Sequence, residues 1–305
     1  MRARTLIQYF FCLVTMLTMV ACTSEETPET MGSMQPLVIK NVVYNSSWGG
    51  VTRTSTTTDA HDKQIWVSAN DATPSQYAYN STDHKFEVTS GSPQEWNGVT
   101  AIVYGFFNSA NANRVNTLFS VAVAQNGTQS YDFQASAKGS FTYSVQNSDG
   151  VTLALRQQLA HVNLTVEDAD ANTQVLMGNS QLYCSGMFQY TAPDAGSYFQ
   201  TSEGYWAFTG NRQTMTLTSS SGGTTFSAYL LPQSITTKSH FFRVYNTSTG
   251  RSAYYAWPND IDNIVEGNEY TCILRQNMNV ASIQVDEDFS NNSGDTKQIY
   301  TDPSN

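Results

Sequence analysis

The sequence has few charged residues and little positive charge. Only 13% of its 305 residues are Asp, Glu, Lys or Arg, where about 25% is usual. The 15 Lys and Arg stand against 25 Asp and Glu, for a net charge of −10. Because binding to phosphates needs clustered Lys and Arg, this balance excludes nucleic acid and anionic membrane surfaces as partners. Uncharged polar residues, 17 Tyr and 15 Phe take the place of the charges, as is typical of an extracellular all-β protein.

The chain also lacks the motifs of common catalytic and metal sites. It has no His-x-x-x-His or Cys-x-x-Cys pair for zinc, no Gly-x-Ser-x-Gly elbow, no phosphate-binding glycine loop and no dinucleotide fingerprint. Asp168, Asp170 and Asn172 have the spacing of the first calcium-loop ligands, but Thr173 stands where that loop needs Gly and Asn179 where it needs Glu. A turn is the favoured interpretation there. We expect no enzyme, metal site or cofactor.

The N-terminus reads as an export signal. Arg2 and Arg4 precede an apolar run from Leu6 to Val20, and the small residue Ala21 comes directly before Cys22. This order predicts a secretory signal peptide over residues 1–21, because a run of roughly 15 residues is short for a transmembrane helix, which needs about 20. The position of Cys22 resembles the bacterial lipobox. We therefore expect Cys22 to be acylated and to anchor the protein in the outer membrane before any processing.

Only two cysteines remain beyond Cys22, and their state is open from sequence. Cys184 and Cys272 could form a disulfide, since the exported compartment permits oxidation. The alternative is that both are buried thiols that behave as small apolar residues.

Segments rich in β-branched and aromatic residues follow one another along the rest of the chain, separated by Gly, Asn, Asp and Ser. They predict an all-β fold with no trustworthy helix. Within Val151 to Val166 the apolar residues first occupy odd-numbered positions, up to Leu159, and then even-numbered positions, from Val162. We therefore expect a bulge or short turn near Ala160 and His161 that restores a common inward face. The predicted organisation is a tether over 22–36, a β-sandwich over 37–167, a second over 168–285 and a polar tail over 286–305.

Several stretches, in order along nearly the whole mature chain, resemble the fimbrillin family of Bacteroidetes type V pilus subunits. Acidic residues just after Cys22 also look like the surface-export signal of Bacteroidetes lipoproteins. The stretches that carry the resemblance are the lipobox at Cys22, Val51 to Ser55, Trp96 ahead of Val99 to Phe107, Leu155 to Val162, Leu230 to Gln233, and Glu266 to Tyr270. Gln157 and His161 depart from the histidine and lysine that the family commonly has, and Asp288-Phe289 replaces an acidic-Trp pair.

The resemblance implies two tandem transthyretin-like Greek-key β-sandwich domains and a role as shaft or tip subunit of an adhesive cell-surface fimbria. It also implies assembly with other fimbrial subunits by β-strand exchange, started by a trypsin-like protease that cuts after an arginine. The candidate here is Arg53, and the alternative is that Arg53 is an ordinary solvated loop residue. The cut would release a detachable strand at a sheet edge together with the lipid, and a neighbour's C-terminal strand would fill the gap. The residues assigned to the displaced strand are Leu37, Ile39, Val42 and Tyr44, and those assigned to the donor strand are Ala281, Ile283 and Val285.

The rival interpretation is a surface lipoprotein that binds glycans on aromatic platforms. Its candidate residues are Trp48, Trp66, Trp96, Trp206 and Trp257. Aromatic residues also fill the cores of β-sandwiches, and the sequence does not distinguish the two uses.

Overall fold

The computed structural model describes residues 35–45, 57–108, 117–142, 150–167, 169–190, 198–201, 203–220, 222–275, 281–286 and 297–301. All regular secondary structure within these ranges consists of β-strands, so the all-β prediction is confirmed. In the same ranges no helix has the length and hydrophobicity to cross a bilayer.

In the described part of the chain, eleven strands lie before residue 158. They are β1 (Ile39–Asn45), β2 (Thr57–Asp59), β3 (Gln64–Ala69), β4 (Ser75–Asn80), β5 (Lys85–Ser90), β6 (Thr100–Asn108), β7 (Thr117–Ser120), β8 (Ala124–Gln125), β9 (Phe133–Ser136), β10 (Gly139–Thr142) and β11 (Val151–Gln157).

Fourteen further strands lie among the described residues after that point. They are β12 (Ala160–Glu167), β13 (Thr173–Leu182), β14 (Ser185–Gln189), β15 (Phe199–Gln200), β16 (Tyr205–Phe208), β17 (Gln213–Thr218), β18 (Thr225–Leu230), β19 (Gln233–Ser234), β20 (Phe242–Asn246), β21 (Ser252–Tyr255), β22 (Asn263–Ile264), β23 (Glu269–Arg275), β24 (Ala281–Asp286) and β25 (Lys297–Thr301).

The first sheet has the strand order β10-β6-β3-β4-β5-β1-β11-β9, with β2 added beside β1. A further pairing of β6 with β9 closes seven of these strands into a ring. Alternate side chains of the strands meet inside it, because successive residues of a strand point to opposite faces. We call the buried cluster there the smaller core. Its members are Leu37, Ile39, Val42, Ala60, Ile65, Val67, Ala69, Tyr77, Phe86, Trp96, Ala101, Val103, Val151, Leu153 and Leu155.

Three further sheets surround a second cluster, the larger core. Their orders are β18-β12-β23-β24-β25, β21-β20-β13-β17-β8 and β15-β16-β14-β7. Among the described residues, the larger core contains 35 buried hydrophobic residues between Tyr104 and Leu274, with Trp206 packed against Phe119, Phe133 and Phe188. It also draws residues from β6 and β9, so the two cores meet at the first sheet.

The shift of the apolar residues from odd to even positions occurs where the chain leaves the smaller core and enters the larger one. Val151, Leu153 and Leu155 belong to the smaller core, whereas Val162 and Leu164 belong to the larger. The chain breaks between β11 and β12 and enters a different sheet. The expectation of a common inward face is therefore wrong. The apolar residues of β11 face the smaller core and those of β12 face the larger core, and the shift from odd to even positions falls where the chain passes between them.

The predicted domain boundary between residues 167 and 168 remains a prediction, and several pairings cross it. Strand β12 pairs with β18 and β23, β7 pairs with β14, and β8 pairs with β17. Sheets of the second half thus include strands from before residue 167.

A turn joins β12 to β13, at the segment considered as a calcium loop. The Asp170 carboxylate accepts hydrogen bonds from the Asn172 N–H at 2.9 Å, the Thr173 hydroxyl at 2.9 Å and the Asn246 amide at 3.1 Å. The Thr173 bond foremost, and then the others, lower the pKa of Asp170 although burial opposes them. Asp168 lies outside the described residues.

Both remaining cysteines are free and buried in the larger core. Burial raises the pKa of the Cys184 thiol to about 11 and that of Cys272 still further. The buried-thiol alternative is the one that the structure has.

Candidate functional site

Strand β1 is paired along both of its edges. On one side it runs parallel to β11, with five residue pairs from Ile39↔Val151 to Tyr44↔Leu155. On the other side it meets β5 through the single pair Ile39↔Phe86 and β2 through three pairs that begin at Val43↔Asp59. The expectation of an edge strand is thus wrong, because β2 and β5 together cover the side that it would leave open. One flank pairs with a single strand, β11, and the other is split between two strands.

Three of the four residues assigned to the displaced strand point into the smaller core. Leu37 is 4% exposed, and Ile39 and Val42 are fully buried. Tyr44 is half-buried and lies 5.5 Å, from ring centroid to Nζ, below Lys63. Leu37 precedes the strand itself, which begins at Ile39. The four are thus together at one place, where they complete a hydrophobic cluster.

A β-bulge interrupts β1 between Ile39 and Asn41. Ile39 pairs with Val151 and Asn41 with Thr152, so Lys40 is an extra residue relative to β11. The Asn41 side chain stabilises the bulge, since its Oδ1 accepts from the Val42 N–H at 2.9 Å and its Nδ2 donates to Asp59 on β2 at 2.8 Å. A bulge shifts side-chain parity, and the inward positions of this segment are consequently 37, 39, 42 and 44.

The entry to β1 is held by the loop over residues 91–97. The Leu37 N–H donates to the Gln94 carbonyl at 2.6 Å, and the Trp96 N–H donates to the Gln35 carbonyl at 3.0 Å. Gln94 is buried, and its side chain accepts from the Ala69 N–H at 2.7 Å and donates to the Thr73 carbonyl at 3.0 Å. This satisfied amide fixes the loop, and through it the start of β1.

Gly150 lets the start of β11 approach β1 closely. Its φ is +98°, and a Cβ there would lie 2.6 Å from the Val38 carbonyl oxygen. That oxygen accepts from the Val151 N–H at 2.9 Å. Only glycine meets both demands without strain.

The segment assigned to the donor strand is paired within this chain. Ala281, Ile283 and Val285 lie in β24, which is hydrogen-bonded to β23 on one side and β25 on the other, in regular register. Cys22 and Arg53 lie outside the described residues.

Motifs that carry the family resemblance lie side by side in space. His161 on β12 pairs with Tyr229 on β18 and with Glu269 on β23. Its Nδ1 lies 3.3 Å from Glu269 Oε1, which also accepts from the Asn163 amide, and its ring stacks on Tyr229 at 4.6 Å between centroids. These contacts lie at the start of β12, where the chain enters the larger core.

Tryptophans in the described part of the chain belong to the cores. Trp206 and Trp257 are fully buried in the larger core and Trp96 is 4% exposed in the smaller. Trp66 is partly buried against the larger core, and Trp48 lies outside the described residues. The described tryptophans therefore form no open platform for a sugar ring.

Sequence reasoning missed two parts of this site, the short strand β2 and the bulge at Asn41. The change from odd to even apolar positions between Ile39 and Val42 was the available signal for the bulge. The three residues of β2 are all Thr or Asp and carry no apolar alternation.

The chain belongs to the fimbrillin-like family, whose model matches residues 45–286. This is a family of structural and adhesion proteins of cell-surface fimbriae and not of enzymes, which confirms both the resemblance and the predicted absence of enzymatic activity. No curated protein matches the sequence significantly.

Solved structures of similar fold have low sequence identity to this chain. A proposed cell adhesion protein from Bacteroides uniformis has a TM-score of 0.51 at 11% identity, over 82% of this chain and 98% of that one. A fimbrial assembly protein from Parabacteroides distasonis has a TM-score of 0.46 at 14% identity, over 88% and 100%. The tip fimbrial protein Mfa3 from Porphyromonas gingivalis, truncated at its C-terminus, has 0.43 at 6% identity, over 73% and 92%.

Proposed function

We propose that this protein is a shaft or tip subunit of an adhesive cell-surface fimbria, exported as a lipoprotein and assembled by protease-triggered strand exchange. Its partners are other fimbrial subunits, and acylated Cys22 holds it in the outer membrane until a trypsin-like protease cuts after Arg53. The segment that leaves includes β1. A strand from a neighbouring subunit then takes its place.

The observation that carries the proposal is the construction of β1. It comes before the proposed cut, it gives Leu37, Ile39 and Val42 to the smaller core, and one of its flanks is split between β2 and β5. Without β1, the backbone groups of β11 would lose their parallel ladder and the smaller core would open to water. Such a gap offers main-chain hydrogen bonds and side-chain pockets to an incoming strand.

The processing step is tested on the mature N-terminus in assembled fibres. Mass spectrometry of fibre subunits should find chains that begin at Thr54, while membrane-bound precursor begins at acylated Cys22. The variant Arg53→Gln should stay in the membrane fraction. Arg251→Gln, which removes an exposed arginine from the turn between β20 and β21, is the matched control and should assemble normally. Fibres built from chains that begin at Cys22 would contradict the proposal.

A further inference from the structure

The sheet with the order β21-β20-β13-β17-β8 has one face on the larger core and one face directed away from it. Alternate residues of its strands, such as Val175 and Val244, are buried in the larger core. Successive side chains of a strand point to opposite faces, so Arg243 and Tyr245 on β20 and Tyr254 on β21 belong to the outer face. Arg243 and Tyr245 are half-buried and Tyr254 is exposed. We call this outer side of the sheet the tyrosine face.

The tyrosine face is free of acidic side chains. The five strands of its sheet all lie within the described residues and contain no Asp or Glu, and Arg243 is their single Lys or Arg. At one end of the sheet, the Asp170 carboxylate is bound by Thr173 and Asn246. In a chain with 25 Asp and Glu against 15 Lys and Arg, this face is where an anionic ligand meets attraction instead of repulsion.

Two tyrosine rings and a serine hold the Arg243 guanidinium in place. Its Cζ lies 4.9 Å from the ring centroid of Tyr245 and 5.7 Å from that of Tyr254. Its Nε and Nη2 both donate to Ser252 Oγ, at 3.0 and 2.9 Å. The strand register creates this arrangement, since Arg243 pairs with Tyr254 and Tyr245 with Ser252. The cation is therefore oriented in advance, and among the described residues no carboxylate pairs with it.

The groups around Arg243 favour a sugar over other anions. A guanidinium binds a carboxylate through two parallel N–H···O bonds, but this alone accepts any anion of suitable shape. Tyr254 is 41% exposed, and an aromatic ring of this kind offers an apolar surface to the C–H groups of a sugar ring while its hydroxyl stays polar. Gln174 and Thr216, at outer positions of β13 and β17, add the amide and hydroxyl groups that match sugar hydroxyls.

We propose that the tyrosine face binds a carboxylate-bearing sugar, a sialic or uronic acid residue of a glycan, with its carboxylate on Arg243 and its ring against Tyr254. The inference rests on the adhesive role proposed above and gives it a ligand class. It does not depend on strand exchange, because the tyrosine face lies in a sheet other than that of β1. Tyrosines thus provide the aromatic platform that the described tryptophans do not.

Calorimetric titration of the unassembled mature chain, residues 23–305, tests the ligand class. The probes are sialyllactose, with lactose as its neutral match, and trigalacturonic acid, with its methyl ester as its neutral match. We expect one of the two acids to bind and its neutral match to bind about tenfold more weakly, since the carboxylate contact is lost. The acid that binds identifies the sugar.

Failure of both acids to bind would overturn the proposal, and so would equal binding of a neutral match. The peptide Asp-Glu-Asp represents an acidic protein partner, and tighter binding of this peptide than of either sugar would also overturn it. The titration needs no fibre. A negative result therefore leaves assembly by strand exchange untouched, since that is tested on the N-terminus of fibre subunits.

Variants with matched controls test the residues. Arg243→Gln should weaken binding of the acid about tenfold, whereas Arg251→Gln, which removes the same charge from the turn of the same hairpin, should leave it unchanged. Equal weakening by both would overturn the site, because overall charge would then explain the binding. Arg243→Lys keeps the charge but loses the planar fork, and it should also bind more weakly than the wild type.

The aromatic contact has its own pair of variants. Tyr254→Ala should weaken binding severalfold, whereas Tyr198→Ala, which removes a ring of similar exposure beside β15, should not. Urea midpoints of all variants should lie close to that of the wild type, so that weaker binding reports the site and not unfolding. Unchanged binding by Tyr254→Ala would overturn the placement of the sugar ring.

Discussion

The two cores differ in how their residues are distributed along the chain. The smaller core has fifteen buried residues in the described part of the chain, and three of them, Leu37, Ile39 and Val42, come from the described segment nearest the N-terminus. The larger core gathers its residues from many strands between Tyr104 and Leu274. Loss of residues 37–45 would therefore remove a fifth of the smaller core's buried residues in the described part of the chain, whereas those of the larger core are spread over many strands. The smaller core therefore depends on its N-terminal segment more than the larger core depends on any one described strand.

Aromatic packing separates the cores further. Trp206 in the larger core lies 6.5 Å from Phe119, 5.8 Å from Phe133 and 5.3 Å from Phe188 between ring centroids. These rings come from β16, β7, β9 and β14, so they join two sheets. Edge-to-face pairs of this kind stabilise a core beyond what the burial of their apolar area contributes. We therefore expect the larger core to be the more stable of the two.

The largest effect is expected from Trp206→Ala. Loss of the fully buried ring leaves a cavity among three phenylalanines, and such truncations cost about 3–5 kcal/mol. Urea denaturation should show a lower midpoint and no change in slope. The control Tyr198→Ala removes an aromatic ring that is 43% exposed and should change stability by less than about 1 kcal/mol. A small effect of Trp206→Ala would show that these aromatic contacts contribute little to the stability of the larger core.

A smaller and more local effect is expected from Ile39→Ala. This truncation of a fully buried side chain costs about 2–5 kcal/mol, but the loss falls on the smaller core. Hydrogen exchange should accelerate in β11 and β5 and stay unchanged in β13 and β17, whereas Lys40→Ala, at the exposed bulge residue, should leave all four unchanged. Uniform acceleration through both cores would contradict their separation, because they would then unfold as one unit.

A still smaller effect is expected from Asn41→Ala. The substitution removes the bonds from the Val42 N–H and to Asp59, and hydrogen bonds of this kind contribute about 1 kcal/mol each. With the bulge less stable, β1 should leave a cut chain several times faster, as followed by release of a labelled segment. Lys40→Ala is again the control. An unchanged release rate would mean that the flank with β2 does not hold the strand.

Much of the fold could be predicted from local sequence, because strands reveal themselves by alternation. Phe141 and the run from Thr100 lie in strands as expected, and Leu155 points to a core as its parity requires. The assignment of strands to sheets could not be predicted, because pairing depends on contacts far apart in sequence. The connection between β11 and β12 is an example. The shift of apolar positions predicted a break there, but the sheet that β12 joins is set by its pairing with β18 and β23.

The candidate site could also be predicted only in part, because local alternation is visible in the sequence and strand pairing is not. Leu37, Ile39 and Val42 are apolar at strand positions, so their burial follows from pattern. That β1 has neighbours on both sides does not, since β2 is three polar residues whose pairing is made by main-chain groups. The bulge was visible as a parity change but acquires meaning only beside β11, whose register shows Lys40 to be the extra residue.

The smallest effect concerns pH and the turn that leads into β13. The Thr173 hydroxyl and the other donors favour ionised Asp170, so its pKa in the folded protein lies below that of the unfolded chain. Its contribution to stability is present above the unfolded-state pKa and is lost as the pH falls through the folded-state pKa. The stability difference between the wild type and Asp170→Asn should therefore be largest near neutral pH and vanish in acid, as urea midpoints measured from pH 7 downward would show. The turn is bonded to Asn246 at the end of β20, beside β13, in a sheet other than that of β1 and β11, so hydrogen exchange in β1 and β11 should be the same in both proteins. A difference that grew in acid would mean that the turn favours the protonated carboxyl, and a change at β1 would mean that the two cores are coupled through it.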